Sequence, residues 1–96
     1  MDRTTKILLV EDDIDLGDSL KQFIEFEDYQ VVLCRNGKSA LEVLSKEQFD
    51  LYILDVMLPD ISGFDIAKQI VNTHSHIPFL FLTAKQQKLD RLGFVE

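Results

Sequence analysis

The sequence has one cysteine, Cys34, and no long uninterrupted apolar run. A single cysteine cannot form a disulfide within the chain, so we expect a fold held by its core and a reducing, cytoplasmic setting. No apolar segment approaches the about 20 residues that a membrane-spanning helix needs. The opening stretch MDRTTKILLV also lacks the basic, apolar and small-residue order of a signal peptide. These absences argue against a membrane protein and against a secreted one.

Basic residues are also few, since 10 Lys and Arg stand against 17 Asp and Glu, for a net charge of −7. A domain of this charge does not gain affinity for nucleic acid by releasing counterions, so we expect no direct contact with DNA. Two histidines occur close together in the stretch THSHIP. His74 and His76 have no cysteine or third histidine beside them, and we interpret them as part of a solvated loop.

Short apolar runs alternate with helical stripes through all 96 residues, without repeats or linkers, which predicts a single domain. Apolar runs predict four strands, at 6–10, 29–34, 51–54 and 79–82. Apolar stripes predict four helices, which begin after Asp13, near Gly37, near Phe64 and near Lys85. The first stripe contains Leu16, Leu20, Phe23 and Ile24, the second Ala40, Leu41 and Leu44, and the third Ala67, Ile70 and Val71. This βαβαβαβα order predicts an α/β fold with a doubly wound parallel sheet and helices on both faces.

Polar residues follow three of the predicted strands. Glu11 and Asp12 follow the first strand, Asp55 follows the third, and Thr83 follows the fourth. Chemistry in open α/β sheets collects at the carboxyl ends of the strands, so we expect these side chains to meet at one edge. Clustered carboxylates repel one another, and their hard oxygen ligands suit Mg²⁺. Asp13 is instead expected to cap the first helix.

Asp55 is the best-placed nucleophile of this group, since it ends a central strand and a loop follows it. A carboxylate beside Mg²⁺ can attack phosphorus and become an aspartyl phosphate. Such a transfer needs positioning and positive charge more than acid–base groups. Thr83 offers a hydroxyl to a phosphoryl oxygen, and Ala84 is small enough to leave the approach open. The alternative reading is that the acids merely close strands and cap helices.

Three stretches, ILLVEDD, YILDVMLPDISG and FLFLTAK, resemble the response-regulator receiver domains of bacterial two-component systems. DVMLPD and LTAK most resemble receivers attached to winged-helix DNA-binding domains. The resemblance implies a flavodoxin-like strand order, 2-1-3-4 in this chain. It also implies that Asp55 accepts phosphate from a sensor histidine kinase and that Thr83 shifts toward the phosphoryl group. Asp12 would bind Mg²⁺ directly, Glu11 through water, and Met57 through its backbone carbonyl.

The receiver pattern also includes a fifth strand with a lysine, usually before proline, and a fifth helix. The sequence ends at Glu96 without a Lys-Pro pair, so we expect residues 1–96 to form a receiver that is incomplete at its C-terminus. Lys85 does not match the position of that lysine. Phosphorylation is then expected to be slower, and the fourth strand becomes an apolar sheet edge. We therefore expect self-association through the fourth strand, the first helix or both.

Two functions remain open from the sequence. The first is a phosphoacceptor signalling domain, not an enzyme with a separate substrate. The second is a receiver that serves only as an interaction or dimerisation module. A hydrolase of the aspartyl-phosphate type is disfavoured, because those enzymes usually need a second acid at the position of Met57.

Overall fold

Four parallel strands form one sheet in the order β2-β1-β3-β4 in the computed structural model, which describes residues 4–73 and 76–82. The strands are β1 (Lys6–Val10), β2 (Gln30–Cys34), β3 (Leu51–Asp55) and β4 (Phe79–Leu82). The helices within these residues are α1 (Ile14–Phe26), α2 (Gly37–Leu44) and α3 (Gly63–Thr73). The predicted alternation and the 2-1-3-4 order are confirmed. The helix predicted from Lys85 lies outside the described residues.

The central strand β1 is buried on both faces. Leu8 and Val10 belong to the main core, which they share with Ile66 and Ile70 of α3. Successive side chains of a strand point to opposite faces, so Ile7 and Leu9 point away from that core. Both are also buried, at 3% and 0% exposure, and α1 packs on β1 and β2. Burial on two faces explains why the strand reads as a continuous apolar run.

Helix α1 begins where the sequence predicts. The Asp13 side chain accepts a hydrogen bond from the Leu16 N–H at 2.9 Å and caps the helix. Of the predicted apolar stripe, Phe23 remains 69% exposed, whereas Leu16, Leu20 and Ile24 are half-buried. The helix ends at Phe26, and two residues later Asp28 has a φ of 69°, the left-handed conformation that commonly closes helices.

Helices α2 and α3 contact each other and cover the main core. Asn36 caps α2 by accepting a hydrogen bond from the Ser39 N–H at 2.8 Å. On α3 the buried residues include Ile66, Ala67 and Ile70, whereas Val71 is 47% exposed. The predicted stripe is therefore confirmed at Ala67 and Ile70 and wrong at Val71. None of the described helices has both the length and the apolar character needed to span a membrane.

The register of the sheet brings the strand ends together. Val10 is opposite Leu54 of β3, and Asp55 is opposite Leu82 of β4. All three pairings of the sheet are parallel, so the residues that follow β1 emerge at the same edge as Asp55. The topology therefore positions the predicted acidic site before any side-chain contact is considered.

Candidate functional site

Three carboxylates meet at the carboxyl edge of the sheet. Glu11, Asp12 and Asp55 each offer one oxygen, and these oxygens all lie within 4.8 Å of one another. Glu11 and Asp55 are buried, at 0% and 1% exposure, while Asp12 is partly exposed. Burying carboxylates this close together is costly unless positive charge compensates them. The arrangement therefore indicates a cation site rather than a chance surface cluster.

The donor set fits a small, hard divalent cation. Two oxygens on opposite sides of Mg²⁺ lie about 4.2 Å apart, twice an Mg–O bond of about 2.1 Å. The 4.8 Å limit of this cluster is only slightly larger than that spacing. Small side-chain rotations would bring the oxygens to bonding distance from Mg²⁺, and a water could also bridge the remaining gap. Calcium, with Ca–O bonds of about 2.3–2.6 Å, is also compatible in size. The residues present therefore fit a divalent cation held by oxygen.

Backbone hydrogen bonds orient two of the carboxylates. The Asp13 N–H donates to Glu11 Oε2 at 2.9 Å, and the Met57 N–H donates to Asp55 Oδ1 at 3.1 Å. The Glu11 N–H donates in turn to the Cys34 carbonyl at the end of β2, at 3.0 Å. Asp55 is thus held by the first residues of its own loop, and Glu11 by the chain that leads into α1. Asp13 serves as the helix cap.

The loop after Asp55 folds back tightly on its own start. The Gly63 N–H donates to the Val56 carbonyl at 2.9 Å. A Cβ at Gly63 would lie 2.2 Å from the Asp55 carbonyl oxygen, far inside van der Waals contact. Only glycine therefore permits this approach of the α3 N-terminus to the backbone of Asp55. This contact was not predicted, because no pattern in the sequence reports a backbone-to-backbone distance.

Asp60 makes further contacts that were not predicted from the sequence. Its Oδ1 accepts hydrogen bonds from the N–H groups of Gly37 and Ile61, each at 2.8 Å. Its Oδ2 accepts one from the Lys38 N–H at 2.9 Å. These bonds, that from Gly37 above all, lower the pKa of the Asp60 carboxyl. The sequence pattern did not predict these contacts, because two of the bonds reach residues 22 and 23 positions away.

Four of the residues singled out from the sequence lie outside the described residues: His74, Thr83, Ala84 and Lys85. His76 is described, and it lines a surface cavity of about 560 Å³ with Phe49 and Pro78, among others. The group Glu11, Asp12 and Asp55 is the one potential metal cluster found among the described residues. The Met57 N–H bonds Asp55, as given above, and the metal-binding role of its carbonyl stays a prediction.

Comparisons with known proteins agree with this architecture. The model of the family described as the response regulator receiver domain matches residues 7–96. The response regulator SaeR of Staphylococcus epidermidis is 42% identical over 88 residues, which are 92% of this chain and 38% of that protein. This chain therefore spans about two fifths of the length of that relative.

Solved structures give the same result. The non-phosphorylated HemR receiver domain from Leptospira biflexa superposes with a TM-score of 0.80 at 41% identity, covering 94% of this chain and 75% of that one. The chemotaxis response regulator CheY4 of Vibrio cholerae gives a TM-score of 0.82 at 26% identity, covering 95% and 82%. The relatives thus share both the sheet and the order in which its strands are joined.

Proposed function

Since the chain belongs to the response regulator receiver domain family, the phosphoacceptor domains of two-component systems, we propose that Asp55 is the residue that accepts the phosphoryl group. The donor in this proposal is the phosphohistidine of a sensor histidine kinase. The observation that carries the proposal is the buried group of Glu11, Asp12 and Asp55, whose oxygens lie within 4.8 Å of one another. Among these three, Asp55 ends β3, one of the two inner strands of the described sheet, and opens the loop that leads to α3.

The proposed reaction is an in-line displacement at phosphorus. An Asp55 carboxylate oxygen forms the new P–O bond, while the P–N bond to the kinase histidine breaks and its electron pair stays on the imidazole nitrogen. The product is an acyl phosphate on Asp55 and a neutral imidazole, because the other ring nitrogen of the phosphohistidine carries a proton when the P–N bond breaks. Asp55 loses no proton in this step, because it reacts as the carboxylate. No separate substrate is turned over, so we place the domain among signalling proteins rather than enzymes.

Mg²⁺ is the proposed cation, and when bound it neutralises charge on the phosphoryl oxygens. Asp12 and Asp55 would hold it directly, Glu11 through water, and Met57 by its backbone carbonyl. The Met57 N–H bond to Asp55 Oδ1 supports this assignment, because it fixes which Asp55 oxygen points into the loop. Thr83 directly follows Leu82, the register partner of Asp55, and remains our predicted contact for the phosphoryl oxygens.

Wider roles of the whole protein belong to the same proposal. We place the domain in the cytoplasm, where sensor kinases deliver phosphate, and we treat residues 1–96 as one receiver unit. The resemblance to receivers of winged-helix regulators suggests a DNA-binding output carried by another segment. The net charge of −7 disfavours DNA contact by these residues themselves.

Phosphorylation by a small donor tests the acceptor directly. The chain is incubated with acetyl phosphate and Mg²⁺, and its intact mass is measured. We expect one phosphoryl group on the wild type, none on Asp55→Asn, and none on the wild type when EDTA removes Mg²⁺. Asp13→Asn is the matched control, because an amide oxygen can still cap α1 and this side chain is not among the three clustered acids. Equal labelling of wild type and Asp55→Asn would contradict the assignment.

Metal titration tests the ligands separately from the chemistry. We expect Asp12→Asn to bind Mg²⁺ more weakly than the wild type, measured by calorimetry without any phosphodonor. Asp13→Asn should bind as the wild type does. An Asp12→Asn protein with unchanged affinity would refute the ligand assignment. Parallel titration with Ca²⁺ establishes whether the site, which fits both ions in size, prefers Mg²⁺.

A second candidate function is an interaction module that does not transfer phosphate. Exposed apolar side chains favour it, since Phe23, Phe26 and Leu80 are 69%, 84% and 57% exposed. The mass measurement separates the two candidates. A wild-type chain that binds Mg²⁺ but gains no phosphate under any donor would leave the interaction module as the better reading.

A further inference from the structure

We propose that Asp60 is a positioning residue that ties the N-terminus of α2 to the loop carrying the metal-binding carbonyl. The inference rests on the proposed function, since it assigns Met57 to the metal. Asp60 lies three residues after Met57, and its carboxylate bonds the first two N–H groups of α2 at 2.8 and 2.9 Å. Two segments that are distant in sequence are thereby joined through one side chain.

On the α2 side, the helix N-terminus is completed by this contact. The first N–H groups of a helix have no partner within the helix itself. Asn36 accepts the bond from Ser39, so Asp60 supplies the acceptors for Gly37 and Lys38. A carboxylate at this end also interacts favourably with the helix dipole. Because the acceptor is a carboxylate, the hydrogen bonds to Asp60 are charge-assisted, and such bonds are stronger than neutral ones.

The two segments are also packed closely. A Cβ at Gly37 would lie 2.8 Å from the Ile61 Cβ and 3.2 Å from Asp60 Oδ1. Gly37 thus allows α2 to approach the loop as closely as the hydrogen bonds require. Any added side chain atom would push the loop away from the helix, without removing the carboxylate of Asp60.

On the loop side, residues 56–62 are held by hydrogen bonds and by Leu58 and Ile61, which pack against the core. The Met57 N–H bond to Asp55 holds the start, and the Gly63 N–H bond to the Val56 carbonyl closes the loop. Asp60 holds the middle to α2, and its bond to the Ile61 N–H fixes its own orientation. Without Asp60, the loop keeps this packing but loses its hydrogen bonds to α2. The Met57 carbonyl would then sample more positions, and the metal would have to order it.

Coupling of this kind is reciprocal. If α2 fixes the loop for the metal, then metal binding must stabilise the contact with α2 by the same free energy. The structure therefore assigns α2 a link to the phosphoacceptor site, although the three clustered carboxylates come from other segments. The link is measurable without phosphorylation.

The test uses Mg²⁺ alone. We expect Asp60→Ala to raise the Mg²⁺ Kd by about tenfold, the lower end of the range for groups that orient metal ligands. Asp60→Asn keeps Oδ1 but replaces the acceptor of Lys38 with an NH₂ group, so its Kd should lie between those of the wild type and Asp60→Ala. Gly37→Ala should weaken Mg²⁺ binding as well, and combining it with Asp60→Ala should add little, because both changes break one contact.

Asp50→Asn is the matched control for a purely structural effect. Asp50 Oδ2 also accepts a long-range backbone bond, from the Lys6 N–H at 2.8 Å, but at the amino end of the sheet. Circular dichroism and thermal unfolding without metal verify that each variant is folded at the titration temperature. We expect Asp50→Asn to lower the unfolding temperature and to leave the Mg²⁺ Kd unchanged.

Hydrogen exchange gives the second readout. Mg²⁺ should slow exchange of the Lys38 amide in the wild type and in Asp50→Asn, but not in Asp60→Ala. A wild type that binds Mg²⁺ with the same Kd as a folded Asp60→Ala would overturn this inference and leave the proposed function intact. A wild type that does not bind Mg²⁺ would overturn the proposed function, and this inference with it.

Discussion

Gly63 shows how strongly the site depends on one absent side chain. Because a Cβ there would lie 2.2 Å from the Asp55 carbonyl oxygen, Gly63→Ala must move either α3 or the end of β3. We expect a loss of about 1–3 kcal/mol in the free energy of unfolding, the usual cost of overpacking. We also expect slower labelling of Asp55 by acetyl phosphate. Urea unfolding and the mass measurement test the two effects.

Gly17→Ala provides the comparison for that change. A Cβ at Gly17 would lie 3.1 Å from the Arg35 Nη1, the end of a flexible side chain that can move aside. This substitution on α1 should leave the labelling rate of Asp55 unchanged. If Gly63→Ala were labelled as fast as Gly17→Ala, the tight approach of the loop to Asp55 would not matter for the acceptor.

Individual residues differ in how far the sequence predicts them. Glu11, Asp12 and Asp55 were predicted as neighbours because each follows a strand, and parallel strands end at one edge. Asp60 was not predicted, because its bonds depend on how α2 and a loop pack across 22 and 23 residues. Strand order alone thus predicts contacts at strand ends, but not contacts between a loop and a helix.

The C-terminus of α1 combines two unfavourable features. Asp28 adopts a φ of 69°, which costs residues other than glycine roughly 1 kcal/mol. No basic residue occupies the last turn, where positive charge would complement the helix dipole. We expect Asp28→Gly to stabilise the chain by about 1 kcal/mol, measured by urea unfolding, since glycine adopts this conformation freely and removes the negative charge.

Asp28→Asn separates the two causes. Asparagine tolerates the left-handed conformation about as well as aspartate, so it tests the charge alone and should stabilise by roughly 0.3–1 kcal/mol at most. Equal stabilisation by both variants would assign the effect to charge. Destabilisation by Asp28→Gly would mean that the Asp28 side chain makes a contact that outweighs its backbone cost.

At the scale of elements, the apolar patterns predicted every described strand and helix, with ends that differ by a residue or a few. The sequence predicted β2 from Tyr29, whereas the strand begins at Gln30, and α3 from Phe64, whereas the helix begins at Gly63. Caps account for the accurate helix starts, since Asp13 and Asn36 bond their helices locally. Exposure was predicted less well, as Phe23 and Val71 show, because a stripe does not reveal what packs against it.

Across the whole molecule, the described sheet ends in β2 on one side and in β4 on the other. Strand β4 is apolar throughout, with Leu80 57% exposed, while Phe81 packs edge to face on Phe64 of α3. An apolar edge strand with free backbone groups is a template for pairing with a second chain. Helix α1, which packs on β1 and β2, also has two exposed aromatic side chains, Phe23 and Phe26.

We therefore expect this 96-residue chain to self-associate, and sedimentation velocity should show a mean mass that rises with protein concentration. Leu80→Lys should shift the chain toward monomer, because a charge on an edge strand opposes strand pairing. Phe26→Ser, at a side chain that is 84% exposed on α1, tests the other surface. If only Leu80→Lys lowers the mean mass, the contact is strand pairing. If only Phe26→Ser lowers it, the contact is helix packing. A wild type that remains monomeric at its highest soluble concentration would contradict the prediction, because neither exposed surface would then bind a second chain with measurable affinity.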